Sequence, residues 1–413
     1  MTEKLYYKDT LKLEFDARVV EMAMREGRCE IILDATCFYP GGGGQPCDLG
    51  TLGGARVVGV GYRDEGGDPH GRISHVVEPA LDAKTGAVLH GVVDAARRRD
   101  FMQQHTGQHI FSQALLQAGK LETVSVHFGD DDTTIEVKAD SVSEKILAAA
   151  EEIANAVIRE NRKVIFHEVD PSEAGRFPLR RTPPEVGRLR VVEVEGFEWA
   201  ACGGVHVPST GEIVFAKAIA QERIRGRVRI HVMMGSRALA DYGRKVALVQ
   251  GLSRELTCGE ADILGRVKEL LGGAKETARE LKKLQASQAA SDADAAIASA
   301  RQIGHAACVR RLFDAAGSEY LKAFAERVVA AAGRVVLAAD RNGESFQWIV
   351  AHSLGAAPDL SDIVPGLLAI AAAKGGGRGT RMQGMGGNPG AADAFLDAIE
   401  KKLALALGQG GHA

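Results

Sequence analysis

The 413-residue sequence predicts an α+β multidomain chain. Three observations carry that prediction. The first 90 residues hold short apolar and alternating runs. Mixed helix and strand signals follow them, and then a long heptad-like stretch precedes a last α/β segment. The expected segments are 1–90, 91–243, 244–303 and 304–413.

In the first segment, Val19-Val20, Cys29 to Leu33, Ala55 to Gly61 and Ile73 to Val77 read as strands. Gly, Asp and Pro clusters separate them, which suggests a small β-barrel or sandwich. In the second, a helix is expected from about Ala95 to Ala118. Its apolar positions Phe101, Ile110, Phe111, Ala114 and Leu115 fit a helical stripe only loosely. Strands follow at Thr123 to Phe128 and Thr133 to Val137. An amphipathic helix spans about Ser143 to Arg159, with Ser143 as N-cap. Strands at Lys163 to Val169 and Leu189 to Val194 flank a Pro- and Arg-rich stretch.

From 244 to 303 the pattern is helical. Leu256, Ile263, Leu270 and Leu284 keep a seven-residue spacing, joined by Val267, Ala274 and Leu281. This suits a coiled-coil-like hairpin or spacer, either an arm open to a homodimer through the C-terminal half or a connecting helix packed on its neighbours. Residues 304–413 read as a separate small α/β domain, with strands at Val335 to Ala339 and Trp348 to His352. Lys374 to Gly387 read there as a glycine-rich loop.

Hydrophobic residues are 45% and charged residues 25%, an ordinary globular composition. With a net charge of -3, contact with nucleic acid has to come from local patches. Arg97 to Arg99, Arg176 to Arg190 and Arg223 to Arg229 are such patches, though solvated faces look the same. Six cysteines without a CxxC read as reduced thiols in a cytosol. The charged N-terminus has no secretory pattern, and no apolar run reaches the roughly 20 residues of a membrane span.

Two elements carry the chemistry. His105 and His109, in His105-Thr106-Gly107-Gln108-His109, are spaced i, i+4 on the expected helix, so both imidazoles leave one face. Cys202 and His206, in Cys202-Gly203-Gly204-Val205-His206, repeat the spacing in a glycine-containing loop. One thiolate and three imidazoles complete a tetrahedral set for Zn²⁺ and suit it better than Mg²⁺ or Ca²⁺. Thr106 stands where a zinc peptidase needs its Glu, which excludes that class. Four protein ligands leave two options open: the zinc orders the pocket, or one ligand swings away and a zinc-bound hydroxide attacks an ester. Separately, Thr36-Cys37-Phe38-Tyr39-Pro40 runs into Gly41 to Gly44 and Gln45-Pro46. The four glycines make either a wide turn or an anion-binding loop.

Together these three motifs resemble the alanyl-tRNA editing proteins of the AlaX type, freestanding relatives of the editing domain of alanyl-tRNA synthetase. The resemblance covers essentially the whole chain. It implies a glycine-rich β-barrel domain at 1–90, a zinc-binding editing domain at 91–243, a coiled-coil-like linker at 244–303 and a DHH-associated, tRNA-binding domain at 304–413. It implies a cytoplasmic deacylase of tRNA(Ala) mischarged with serine or glycine. His105, His109, Cys202 and His206 would be its Zn²⁺ ligands. Thr36 matches a threonine that contacts the serine hydroxyl, Gln45 shapes the pocket, and Ser125 and His127 border the editing site. The glycine segment near 375–387 would lie on tRNA. Val205 stands in place of the usual threonine, and Thr380 and Met382 replace smaller residues.

The activity is physically reasonable. A pocket shaped for alanine rejects one added hydroxyl poorly, and a second site that rewards the hydroxyl corrects the error. The competing readings are a tRNA-binding module whose zinc is purely structural, and an esterase or amidase acting on small amino-acid derivatives.

Overall fold

The computed structural model describes residues 1–25, 27–65, 68–180, 188–355 and 358–408. The chain forms two compact units, Met1–Leu252 and Ser253–Ala413. Residues 181–187 of the Arg-rich stretch lie outside the described residues.

The barrel of the first unit is built from six strands: β1 Glu14–Arg25, β2 Arg28–Leu33, β3 Gly50–Leu52, β4 Ala55–Glu65, β5 Asp68–Glu78 and β6 Val88–Val93. They close into a barrel in the order β1-β2-β5-β4-β3-β6. Alternation drives closure: Phe15, Ala17 and Val19 of β1 point inward while their neighbours stay in solvent. Gly91 on β6 faces Phe15, and a methyl group there would lie 2.5 Å from the ring. His75 of β5 is buried inside. Burial pushes its pKa down to about 4, so it is neutral at pH 7.

After the barrel come α1 Ala95–Gly119, β7 Thr123–Phe128, β8 Thr133–Val137, α2 Glu144–Arg159, β9 Val164–Val169, β10 Leu189–Val194, β11 Glu198–Ala201, β12 Ala216–Ile224, β13 Arg227–Met234 and α3 Gly235–Leu256. Asp94 caps α1 by accepting from the Arg97 amide at 3.0 Å, and Ser143 caps α2 by accepting from the Ile146 amide. β12-β13-β8-β7 form one antiparallel sheet and β9-β10-β11 another. The barrel interior and the buried faces of α1, α2 and the first sheet form one continuous apolar core. The expected division at 90 is thus a division of topology, and the two parts share their packing.

α1 is buried on nearly every side, polar residues included. That explains its loose apolar stripe: a helix enclosed all round shows no moment. Gln103 and Gln104 survive burial because each amide donates to a backbone carbonyl, of Glu212 at 2.7 Å and of Met234 at 2.9 Å.

The second unit contains α4 Ile263–Ala298, β14 Arg301–Ile303, β15 Ala306–Asp314, α5 Ser318–Val328, β16 Arg334–Asn342, β17 Ser345–His352, β18 Ala373–Arg378, β19 Arg381–Gly386 and α6 Ala392–Gly408. The strand order is β14-β15-β16-β17-β19-β18, with only β15 and β16 parallel. Ala289, Ala293 and Ala296 of α4 pack with α5 on one face. Phe395, Leu396, Ile399 and Leu403 of α6 pack on the other, each stabilising by roughly 1.5–3 kcal/mol relative to exposure.

One expectation changes here and another is refined. The glycine-rich segment is a β-hairpin at the sheet edge, not a loop. Two of its glycines make room for Trp348: a methyl on Gly375 would lie 2.4 Å from the indole, and one on Gly384 2.7 Å. The heptad stretch is two helices, because Thr257 adopts a φ of 51° and a short turn at Glu260–Asp262 intervenes. Leu270, Leu281 and Leu284 of α4 are at least half exposed. Among the described residues no helix is long and apolar enough to cross a membrane.

Candidate metal centre

α1 presents His105 and His109 one turn apart. The loop after β11 brings Cys202 and His206 against them. One donor atom from each lies within 4.8 Å of every other. Cys202 Sγ is 3.4 Å from His105 Nε2 and 3.3 Å from His206 Nε2. The loop approaches this closely because residue 204 is glycine; a methyl there would lie 2.1 Å from His105 Cε1.

Each imidazole is oriented from behind. His105 Nδ1 lies 2.8 Å from Gln45 Oε1, His109 Nδ1 3.1 Å from Glu198 Oε2, and His206 Nδ1 3.1 Å from Thr106 Oγ1. In all three the Nε2 side is left for the centre, the arrangement that outer partners impose on metal-binding histidines. Glu198 is fully buried and neutralised by Arg180, whose Nη2 donates at 2.6 Å. The loop backbone is fixed as well. Arg190 Nη1 donates to the carbonyls of Cys202 and Gly204, and the Tyr7 hydroxyl donates to that of Gly203.

The electrostatics are compatible with a bound cation. Burial opposes charge on Cys202, yet His105 and His206 hold its thiol well below the usual range. Burial also opposes charge on His109, but the Glu198 carboxylate wins and raises it to about 10. A proton on His109 thus sits between a thiolate and a carboxylate, where a metal ion would replace it. Burial first, and then the charge of His105, push His206 down to about 3, so it is a neutral donor at pH 7. Three nitrogen donors, each oriented from behind, and a thiolate form a donor set that suits a metal ion such as Zn²⁺.

The remaining expected residues fall as follows. Gln45 reaches the cluster, as a support for His105 and an acceptor for the Val205 amide at 3.1 Å. The four glycines before it all have positive φ, and Gly42 and Gln45 exchange both backbone hydrogen bonds. Those two amides are consumed internally, so the segment is a tight turn that delivers Gln45. Thr36 bonds inside the barrel, 2.8 Å from His75 Nε2, with no exposed surface. Since His75 Nδ1 donates to the Ile31 carbonyl, the Thr36 hydroxyl donates to Nε2. Its proton is committed there rather than to a ligand. Ser125 and His127 lie on the solvent face of β7, while Phe128 on the opposite face touches the His105 ring. Strand alternation therefore turns both away from the cluster, and Ser125 donates to Glu136 at 2.8 Å. Val205 is a core residue, so the hydroxyl it lacks would face the interior. Arg98, expected to meet phosphate, is buried on Asp48 and the carbonyls of Thr10 and Cys37. Glu198, Arg180, Thr106, Tyr7 and Arg190 support the cluster through hydrogen bonds that motif reading passes over.

Residues 189–230 match the threonyl and alanyl tRNA synthetase second additional domain. The chain is 33% identical to the alanyl-tRNA editing protein AlaX-M of Methanosarcina mazei, over 55% of this chain and 92% of that protein. It is 30% identical to AlaX-L of Pyrococcus horikoshii, over 68% and 72%. It is 32% identical to the alanine–tRNA ligase of Pyrococcus furiosus over 69% of this chain, but spans only 31% of that ligase. On this coverage of the freestanding relatives, together with a His/Cys cluster built from both motifs, the chain belongs to the alanyl-tRNA editing proteins of the AlaX type.

Proposed function

We propose that this protein is a cytoplasmic, trans-acting hydrolase that removes serine or glycine from mischarged tRNA(Ala) at a zinc site formed by His105, His109, Cys202 and His206. One observation carries the reading. In a chain whose relatives are named for alanyl-tRNA editing, four donors from distant segments converge, and only the cysteine side is partly open. Water adds to the acyl carbonyl, the ester oxygen leaves as a ribose hydroxyl, and the free amino acid departs. A bound zinc would supply Lewis acidity and order for the loop. Gln45, Thr106 and Glu198 hold the imidazoles in place. Arg190 and Tyr7 hold the loop that faces the ester.

The same reading takes 1–90 and 91–243 as the editing half, 244–303 as the connecting helical segment and 304–413 as a DHH-associated domain, with the hairpin at Ala373–Gly386 lying on tRNA. The exposed leucines of α4 support self-association through the C-terminal half. A second reading is favoured by one feature: four protein donors fill a tetrahedral zinc, as in structural sites. The protein would then be a tRNA-binding module without hydrolysis. A deacylation panel separates the two. Release of serine from Ser-tRNA(Ala), or of glycine from Gly-tRNA(Ala), is expected well above background, with Ala-tRNA(Ala) spared. Binding of all three without turnover would select the structural-zinc module.

A further inference from the structure

Beside the cysteine lies a patch whose composition the metal site does not require. The Tyr7 ring is covered by Arg190, whose guanidinium carbon lies 4.6 Å from the ring centre. Lys4 Nζ lies 5.9 Å from the Tyr7 ring and 5.2 Å from the Tyr62 ring. All four side chains are half-buried, so each keeps a surface in solvent. Tyr7 ties the patch to the site, through its hydroxyl on the Gly203 carbonyl at 2.8 Å. Among the described residues neither Lys4 nor Arg190 has a carboxylate within ion-pair distance, and Arg190 Nη2 has no hydrogen-bond partner. Arg190 is held between the Tyr7 and Phe166 rings and lies near the charges of Cys202 and Glu168, so Lys4, on the rings of Tyr7 and Tyr62, is the cation that a cover for the loop does not need.

The direction of approach identifies the ligand. His105, His109 and His206 are buried, Cys202 is half-buried and Gly203 is exposed. An ester reaching the centre has to arrive over Cys202 and Gly203. The nucleotide that carries the ester then lies against Lys4, Tyr7, Tyr62 and Arg190. Unstacked bases are held on aromatic rings and guanidinium planes, and their phosphates by nearby cations.

We propose that Lys4, Tyr7, Tyr62 and Arg190 form the subsite for the 3′-terminal adenosine and its phosphate in single-stranded RNA. This rests on the deacylase reading for its purpose, but its test needs no hydrolysis. Binding of the RNA tetranucleotide ACCA to the zinc-loaded full chain is measured by fluorescence anisotropy, with ACC as the control. Lys4→Ala and Tyr62→Leu are expected to weaken ACCA binding by on the order of tenfold. ACC binding and zinc content stay at wild-type levels, and Tyr62→Phe, which keeps the ring, restores ACCA affinity. For Ser-tRNA(Ala), KM rises while kcat changes little. Wild-type ACCA affinity in both variants would overturn the subsite and leave the deacylase reading standing. Loss of ACCA binding in a protein that never releases serine would uphold the subsite and remove the deacylase reading.

Discussion

Replacing Cys202 with serine is expected to abolish both zinc retention and deacylation while leaving the fold intact. A four-ligand protein zinc site is worth roughly 10–16 kcal/mol, so an equal share per ligand is about 2.5–4 kcal/mol, or about two to three powers of ten in affinity. A serine hydroxyl is a far poorer donor than a thiolate, and the loss should reach at least that range. The fold survives because Cys202 lies at the partly open edge of a loop, while the adjoining core is held by Val205 and Val207. Metal analysis after dialysis and circular dichroism check the two halves of the expectation. A variant that keeps a full equivalent of zinc would remove Cys202 from the ligand set.

Glu198→Ala is the second large effect. Glu198 joins His109 to Arg180 with no exposed surface of its own. Its removal breaks a buried charged pair, and the cost falls toward the lower end of roughly 3–5 kcal/mol because Arg180 keeps some solvent contact. Losing the partner that orients a metal-binding histidine costs about 10–100-fold in metal affinity. The pH dependence identifies the cause. In the native protein the carboxylate raises His109 to about 10, so metal must displace a proton at every pH below that value, and affinity climbs as pH rises toward it. Without Glu198 that proton is held less firmly. The deficit of the variant is therefore greatest near pH 9 and shrinks toward pH 7. Competition against a chromogenic chelator at both pH values measures it. An equal deficit at the two would mean that Glu198 acts on the fold alone.

How legible each part is follows from where its information lies. The strands at Cys29 to Leu33 and Val335 to Ala339 show as apolar runs because their side chains enter a core whatever the partner is. His105, His109, Cys202 and His206 show because few residue types bind soft metals and their spacing is local. Glu198 does not: its role depends on His109, 89 residues away, and on Arg180, 18 residues away. A lone acid opening the short strand before Cys202 is the only local signal. Ser125 and His127 were expected at the site because their strand borders it; which face a strand presents is decided by its partners, and β7 gives Phe128 to the centre. The hairpin at Ala373–Gly386 was hidden because glycine disfavours strands unless a neighbour such as Trp348 needs the room.

The most direct test of the central claim is a zinc titration of chelator-stripped protein while serine release from Ser-tRNA(Ala) is followed. Activity is predicted to be absent in the stripped protein and to climb linearly to a plateau at one equivalent. Full activity without metal, or none with the site filled, would contradict the assignment of hydrolysis to this centre.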